Sequence, residues 1–323
     1  MYLRAGFCII ICICKILKSI GGQESGKESE GVMKVLNLGS LNLDYVYSVD
    51  HMVLPGETLS SYGMETFCGG KGLNQSIALA RAGAEVYHAG LVGDGGEILI
   101  DTCREAGVHT DFIQKLEGPC GHTIIQVDKN GQNCILLYGG SNQKMTKEYI
   151  DTVLGHFDKG DILLLQNEVN LVDYMIDQAY AKQMMIILNP SPYNSALDTC
   201  DYSKVSMFLM NEIEGAQVTG EQEPEGILQE LSKRYPTVKT VLTLGGDGAV
   251  YQDGDSICRQ AIFPVKAVDT TAAGDTFTGY FITSIIEKME PSEGLKLAAK
   301  ASSIAVSRAG AAASIPARAE VMV

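Results

Sequence analysis

The chain has 323 residues, 46% apolar and 20% charged, enough to bury a substantial core as one large or two unequal domains, and too apolar for disorder as its main state. Its formal net charge is −14 and no Lys/Arg-rich run interrupts that acidic background, which argues against nucleic-acid and anionic-membrane partners. The nine cysteines, an odd number with no Cys-x-x-Cys pair, read as free thiols in a reducing cytoplasm and show no zinc-site spacing.

Residues 1–32 differ from the rest. An apolar run over residues 5–14 is too short to span a bilayer and is followed by Lys15, Lys18 and a polar stretch over residues 21–27. No small-x-small cleavage pattern directly follows the run, as a secretory signal requires. A short membrane-surface anchor and a translation start at Met33 are the other readings. The expectation is a non-core extension over residues 1–32 and one domain over residues 33–323.

From residue 33 onward the chain reads as alternating strands and helices. Residues 35–38 predict a short buried strand ending in Gly39-Ser40, followed by a polar segment that returns Asn42 and Asp44 to the strand's carboxyl end. Residues 73–82 carry a helical apolar period stopped by Gly83, and residues 85–89 return as a strand. Polar and apolar residues alternate over 56–68. An extended pair over 123–137 surrounds Asp128-Lys129-Asn130-Gly131, a hairpin turn signal. These segments predict a small β-sheet, from about residues 45–68 and 118–140, standing off the main body.

Farther on, the apolar runs at 162–165, 185–188, 207–210 and 241–244 suit parallel strands covered on both faces. Helical patterns over 171–181, 225–235, 275–288 and 292–309 separate or follow them. The fold class expected is α/β: a doubly wound, mostly parallel sheet with helices on both faces and the small β-sheet as an insertion.

The chemistry concentrates in Asp269-Thr270-Thr271-Ala272-Ala273-Gly274-Asp275-Thr276. Ala272, Ala273 and Gly274 carry almost no side chain, so backbone N–H groups at a helix start can approach an anion. Asp275 follows directly. A carboxylate beside a bound phosphate suits proton removal from an attacking hydroxyl, although a lone Gly-Asp-Thr is more often an ordinary helix cap. Gly69-Gly70-Lys71-Gly72-Leu73-Asn74-Gln75 lacks the Walker A spacing and, alone, is a tight turn before a helix. Thr243-Leu244-Gly245-Gly246-Asp247-Gly248 follows a strand and, alone, is a plain hairpin turn. Glu168 follows a strand end, where an isolated glutamate is usually solvated.

Taken together with Gly39-Ser40-Leu41-Asn42-Leu43-Asp44, Pro55-Gly56-Glu57-Thr58, Asn211-Glu212-Ile213-Glu214 and Gly310-Ala311-Ala312-Ala313-Ser314, these motifs resemble the ribokinase-like family of carbohydrate kinases. The resemblance runs in register from about Met33 to Ile315 and is greatest toward the family's ribokinase branch.

It implies ATP-dependent phosphorylation of a sugar hydroxyl, ribose first, with another pentose, deoxyribose, a ketohexose or a nucleoside left open. It further implies Asp275 as general base beside the Ala272, Ala273 and Gly274 amides. Asn42, Asp44, Gly70, Lys71, Gly72, Asn74 and Glu168 would contact the sugar. Asn211, Thr243, Leu244, Gly245, Gly246, Asp247, Gly248 and Gly274 would serve the nucleotide. Glu214 would hold Mg²⁺ through water. Asp269, Thr271, Ala305, Arg308, Gly310 and Ser314 would surround an activating K⁺. The small sheet would be a lid and a homodimer contact, and the enzyme cytoplasmic.

Two other classes remain to be weighed. A catalytically silent sensor on the same fold would be expected to lose Asp275 or Gly274, and both are present. A dinucleotide-dependent oxidoreductase would need G-x-G-x-x-G after the first strand, which is absent.

Overall fold

The computed structural model describes residues 33–323, so the readings made of residues 1–32 lie outside the described residues. In chain order the strands are β1 (Val35–Leu38), β2 (Asn42–Ser48), β3 (Gly63–Gly69), β4 (Val86–Asp94), β5 (His109–Pro119), β6 (Gly121–Val127), β7 (Asn133–Tyr138), β8 (Ile162–Gln166), β9 (Met185–Asn189), β10 (Met207–Asn211), β11 (Lys239–Thr243), β12 (Ala249–Asp253) and β13 (Ser256–Gln260). The helices are α1 (Lys71–Ala82), α2 (Glu97–Glu105), α3 (Lys147–Leu154), α4 (Val172–Ala181), α5 (Glu212–Thr219), α6 (Pro224–Arg234), α7 (Ala273–Ile286), α8 (Pro291–Val306) and α9 (Arg318–Val321).

The apolar runs form the middle of a nine-stranded sheet in the order β13-β12-β11-β10-β9-β8-β1-β4-β5. Its strands are parallel except at β11-β12 and β12-β13. Successive residues of each run go to opposite faces: Ile162 and Leu164 join the core beneath α1, α7 and α8, whereas Leu163 and Leu165 join the core beneath α3, α4 and α6. Both cores are apolar, which is why the runs show no alternation in sequence.

Strand order reverses about β1, with β8 to one side and β4 to the other. Ligands collect beyond the carboxyl ends of strands at such a switch point.

The small sheet has the order β3-β2-β6-β7. Residues 42–44, read from sequence as a polar segment, open the inner strand β2, whose residues 45–48 fall where the small sheet was expected to begin; β2 is antiparallel to β3 and parallel to β6. Its half-buried pattern mixes polar and aromatic residues, so no clear period marked it as a strand. The β6-β7 hairpin turns where expected, with the Gly131 N–H donating to the Asp128 carbonyl and Gly131 at φ 78°. Residues 118–119 end β5 in the large sheet instead of opening the small one.

Among the described residues Cys68, Cys103, Cys120, Cys134, Cys200 and Cys258 are free thiols. Among the described residues no helix is long and apolar enough to cross a membrane.

Candidate active site

The site begins where α1 lands on the end of β1. A Cβ at Gly72 would strike the Gly39 and Ser40 backbone, so only glycine lets the helix start approach this closely. Gly70 holds φ 94° and aims the following amides across the gap. The Lys71 N–H donates to Glu168 Oε2 at 3.0 Å, the Ser40 hydroxyl donates to the same carboxylate, and the Gly72 N–H donates to Ser40 Oγ at 3.2 Å. Glu168 is therefore not a solvated loop residue: it caps the first turn of α1. Burial pushes its carboxyl up from the ordinary value, against the pull of Lys71. Burial alone would lower Lys71, but Asp275, Glu168 and Glu214 together hold its ammonium above the ordinary lysine value.

Beside this corner, the small sheet contributes Asn42 and Asp44. Asn42 is buried and accepts from Asn142 Nδ2 at 2.7 Å, while Asn142 Oδ1 accepts the Leu41 N–H at 3.1 Å. The Asp44 carboxyl is raised to about 6, chiefly by burial and further by Glu168, with the Thr123 hydroxyl opposing. Thr123 was not singled out from sequence, and Asn142 only within Gly140-Ser141-Asn142, a stretch that resembles ribokinases, with no partner or role assigned.

Across the gap, Ala272 takes the left-handed conformation at φ 59° and α7 starts at Ala273. Asp275 lies in the first turn, buried, with Oδ2 accepting from Asn74 Nδ2 at 3.1 Å and Oδ1 accepting from Gln75 Nε2 at 2.9 Å. Of the amides named from sequence, Ala273 differs: its N–H is spent on the Thr270 carbonyl at 3.2 Å. The N–H groups of Gly274 and Asp275 make no hydrogen bond within the described residues and face the dipole-favoured end of the helix. Lys71, Asn189, Asn211, Glu214, Gly274 and Asp275 line one cavity of about 210 Å³.

That cavity shares Thr243, Thr270 and Gly274 with a larger cleft of about 390 Å³. Gly245, Gly246 and Gly248 line the cleft as expected, but Leu244 packs against the core and Asp247 is exposed on the turn. A Cβ at Gly248 would strike the Gln260 carbonyl, so this glycine serves the hairpin. Among the described residues a Cβ at Gly246 or Gly274 would meet no protein atom within 4 Å beyond its own local backbone, and neither has positive φ. Packing gives no reason for glycine there; an open wall for a ligand does. The cleft also takes in Ile262, Phe263 and Val265, which sequence reading passed over although Ile262 and Val265 are exposed apolar residues.

Asn211-x-x-Glu214 forms a capping box on α5: Asn211 Oδ1 accepts the Ile213 and Glu214 N–H groups, and Glu214 Oε2 accepts the Asn211 N–H at 3.0 Å. The motif thus has a folding role, and it also fixes a carboxylate on the cavity wall. Among the described residues no cluster of three His, Cys, Asp or Glu side chains could hold a metal.

Asp269 draws two distant segments together. Its Oδ1 accepts the Thr271 N–H at 2.8 Å and its Oδ2 the Gly310 N–H at 3.0 Å, while the Val268 and Asp269 N–H groups donate to Val306 at the end of α8. Burial would raise the Asp269 carboxyl, but the bonds from Thr271 and Gly310 hold it below the ordinary value. Ser314 is buried and donates to the Ala311 carbonyl at 2.8 Å, and the Ala305 carbonyl accepts the Arg308 N–H at 3.0 Å. The structure therefore brings Asp269 and Thr271 to Gly310.

A model of the pfkB family of carbohydrate kinases matches residues 33–318. The chain belongs to that family. It is 32% identical to the ribokinase of Bacillus subtilis over 289 residues, 88% of this chain and 96% of that one. A ribokinase of Cryptococcus neoformans solved with ADP superposes with a TM-score of 0.79 at 30% identity, covering 90% of this chain and 99% of that one. A ribokinase of Arabidopsis thaliana solved with ribose and ATP gives 0.79 at 28%, covering 90% and 98%. A carbohydrate kinase must bring two substrates to one point, and a glycine-lined cleft that meets a carboxylate-bearing cavity at Gly274 is a site of that kind.

Proposed function

We propose that this kinase transfers the γ-phosphoryl group of ATP to the 5-hydroxyl of D-ribose, with Asp275 as general base. The observation that carries the reading is Asp275 itself: a buried carboxylate whose two oxygens are held by Asn74 and Gln75 on the wall shared with Lys71, Glu214 and Gly274. The likeness to ribokinases across most of the chain supports ribose among the sugars.

The sugar lies between Asn42 and Asp44 on the small sheet and Lys71 at the start of α1, Glu168 after β8 and Asp275 in α7. Asn74 Oδ1 is buried without a partner among the described residues, an acceptor that a sugar hydroxyl at Asp275 can satisfy. Asp275 takes the proton of the 5-hydroxyl as that oxygen attacks phosphorus in line, and ADP leaves along the Gly246 wall. The free N–H groups of Gly274 and Asp275, with Lys71, stabilise the charge on the transferring group.

Glu214, fixed by Asn211, is an oxygen donor suited to Mg²⁺ that keeps most of its waters, and the bound ion would neutralise charge on the triphosphate. Asp269, Thr271, Ala305, Arg308, Gly310 and Ser314 offer carboxylate, carbonyl and hydroxyl oxygens, a hard donor set suited to K⁺. An ion there would stiffen the turn that presents the Gly274 and Asp275 amides.

The small sheet closes over the sugar as a lid. It exposes Met64, Phe67, Ile135, Leu136 and Tyr138, a surface suited to a second copy of the chain, so the working unit is a homodimer. The cytoplasm supplies the ATP.

Coupled ADP release measured across a panel of pentoses, ketohexoses and nucleosides tests the assignment. Ribose should give the highest kcat/KM. No acceptor-dependent ADP release, or a nucleoside as the preferred acceptor, overturns it.

A further inference from the structure

Gln75 ends the Gly69–Gln75 motif, and the proposed mechanism gives it nothing to do beyond touching Asp275. It is fully buried, as are Gln166 at the end of β8, Asn37 in β1 and Ser76 in α1. These side chains form one hydrogen-bonded chain. Asn37 Nδ2 donates to the Gly72 carbonyl and to Ser76 Oγ, both at 2.8 Å. Gln166 Nε2 donates to Asn37 Oδ1 at 3.1 Å and to Gln75 Oε1 at 2.7 Å. Gln75 Nε2 then donates to Asp275 Oδ1 at 2.9 Å.

The direction of every bond in the chain follows from one atom. The Gly72 carbonyl can only accept, so Asn37 must turn its amide nitrogen toward it and its oxygen toward Gln166. Gln166 must then present its nitrogen, which uses both hydrogens on Asn37 and Gln75. Gln75 is left with its oxygen occupied and its nitrogen aimed at Asp275. Among the described residues Gln166 Oε1 stays buried without a partner, an unsatisfied acceptor tolerated on one side of the amide so that its nitrogen serves the other.

At the far end, Ser76 Oγ lies 2.8 Å from His88 Nδ1, and burial pulls the imidazole down to about 4, more than the Gly39 carbonyl offsets. The relay is therefore neutral at physiological pH, and among the described residues Asp275 is the only charged group it hydrogen-bonds.

We infer that Gln75, Gln166 and Asn37 are positioning residues: a buried amide relay, anchored on the Gly72 carbonyl, fixes the rotation of the Asp275 carboxylate. Oδ1 is held by Gln75 and Oδ2 by Asn74, which fixes the plane of the carboxylate and leaves one lone-pair direction on each oxygen for an incoming hydroxyl. An untethered carboxylate samples other rotations, and misplacement of a reacting group by about 1 Å is worth up to ~10²-fold in rate. Among the described residues Gln166 makes no hydrogen bond to Asp275 or to Asn42, Asp44, Lys71, Asn74 and Glu168, so its hydrogen-bonded path to the carboxylate runs through Gln75. The inference rests on Asp275 as the base.

Steady-state kinetics of Gln75→Leu, Gln166→Leu and the double variant test it, with wild type alongside. An inactive wild type would defeat the kinase reading itself; the relay is judged against an active one. Gln75→Leu should lower kcat at least ~10-fold and Gln166→Leu by ~3- to 10-fold, with KM for ribose and ATP within about 3-fold. Because both act through one carboxylate, the double variant should be no slower than Gln75→Leu alone. Gln75→Met, of similar length, carries the same test should the leucine variant fail to fold. Losses that multiply in the double variant, a loss confined to KM, or either single variant above half of wild-type kcat would overturn the relay.

Discussion

Thr123 and Asp44 sit opposite each other on parallel strands β6 and β2, and the threonine hydroxyl donates to the Asp44 carboxylate at 2.5 Å. That single donor does not offset burial, and the carboxyl rises to about 6 from an ordinary 3.8. A raised carboxyl stabilises the fold fully below the unfolded value, and this contribution is lost as pH rises through about 6. At neutral pH the buried charge costs at most about 3 kcal/mol. Ligand-free Asp44→Asn should therefore unfold at higher denaturant than wild type at pH 7.5, with the difference vanishing below pH 4. Sugar hydroxyls that donate to the ionised carboxylate reverse the balance, so the wild-type KM for ribose should climb as pH drops below 6. Denaturation curves from pH 4 to 8, with KM measured over the same range, check both. A variant with unchanged ribose KM would remove Asp44 from the sugar site.

Asp275→Asn keeps the shape of the side chain and removes the proton acceptor. General-base catalysis is worth ~10²- to 10⁴-fold, so kcat should fall at least ~10²-fold while ribose affinity stays within a few-fold. Single-turnover rates and ribose titration by calorimetry separate the two. Retention of more than about a tenth of wild-type kcat would take Asp275 out of the role of base.

How much of this site the sequence revealed depended on where each partner lay in the chain. The helix start at Ala273 and the turn at Asn130-Gly131 are local, set by small residues and turn chemistry, and both were readable. Glu168 was not: its partners Ser40 and Lys71 lie 128 and 97 positions away, and only the fold places them in contact. The relay from Asn37 to Gln75 was hidden for the same reason, since a polar residue inside an apolar strand gives no hint of which helix will pair it. The Asn211-Glu214 spacing was visible but carried two meanings at once, a capping box and a carboxylate on the cavity wall.

Gly246 and Gly274 separate a glycine that the fold needs from one that a ligand needs. Neither has positive φ, and among the described residues a Cβ at either meets no protein atom within 4 Å beyond its own local backbone. Gly246→Ala and Gly274→Ala should leave the melting temperature unchanged or slightly higher, since alanine in the first turn of α7 costs about 1 kcal/mol less than glycine. ATP should suffer instead: KM for ATP rises at least ~5-fold for Gly246→Ala, and kcat falls for Gly274→Ala, where backbone approach to the phosphoryl group is blocked. Calorimetric melting beside ATP titration decides it. A lower melting temperature with normal kinetics would make these glycines structural.

The loop closed by Asp269 offers the last test. Its carboxylate receives the Thr271 N–H on one oxygen and the Gly310 N–H on the other, so it ties the turn before α7 to the end of the α8 segment. An ion coordinated among Asp269 and the neighbouring carbonyls would stiffen that tie, and with it the amides of Gly274 and Asp275 three to four residues beyond Thr271. At fixed ionic strength, replacing tetramethylammonium by K⁺ should raise activity several-fold, because the bulky cation screens charge equally but cannot enter a cage of oxygens. The gain should fall on kcat or on ATP affinity and little on ribose, since Asp44 and Glu168 lie outside the loop. Asp269→Asn, which keeps an oxygen but loses the charge, should flatten the response and lower the basal rate less than Asp275→Asn does. Identical rates in the two cations would remove the ion from this loop and leave Asp269 as a purely structural tie.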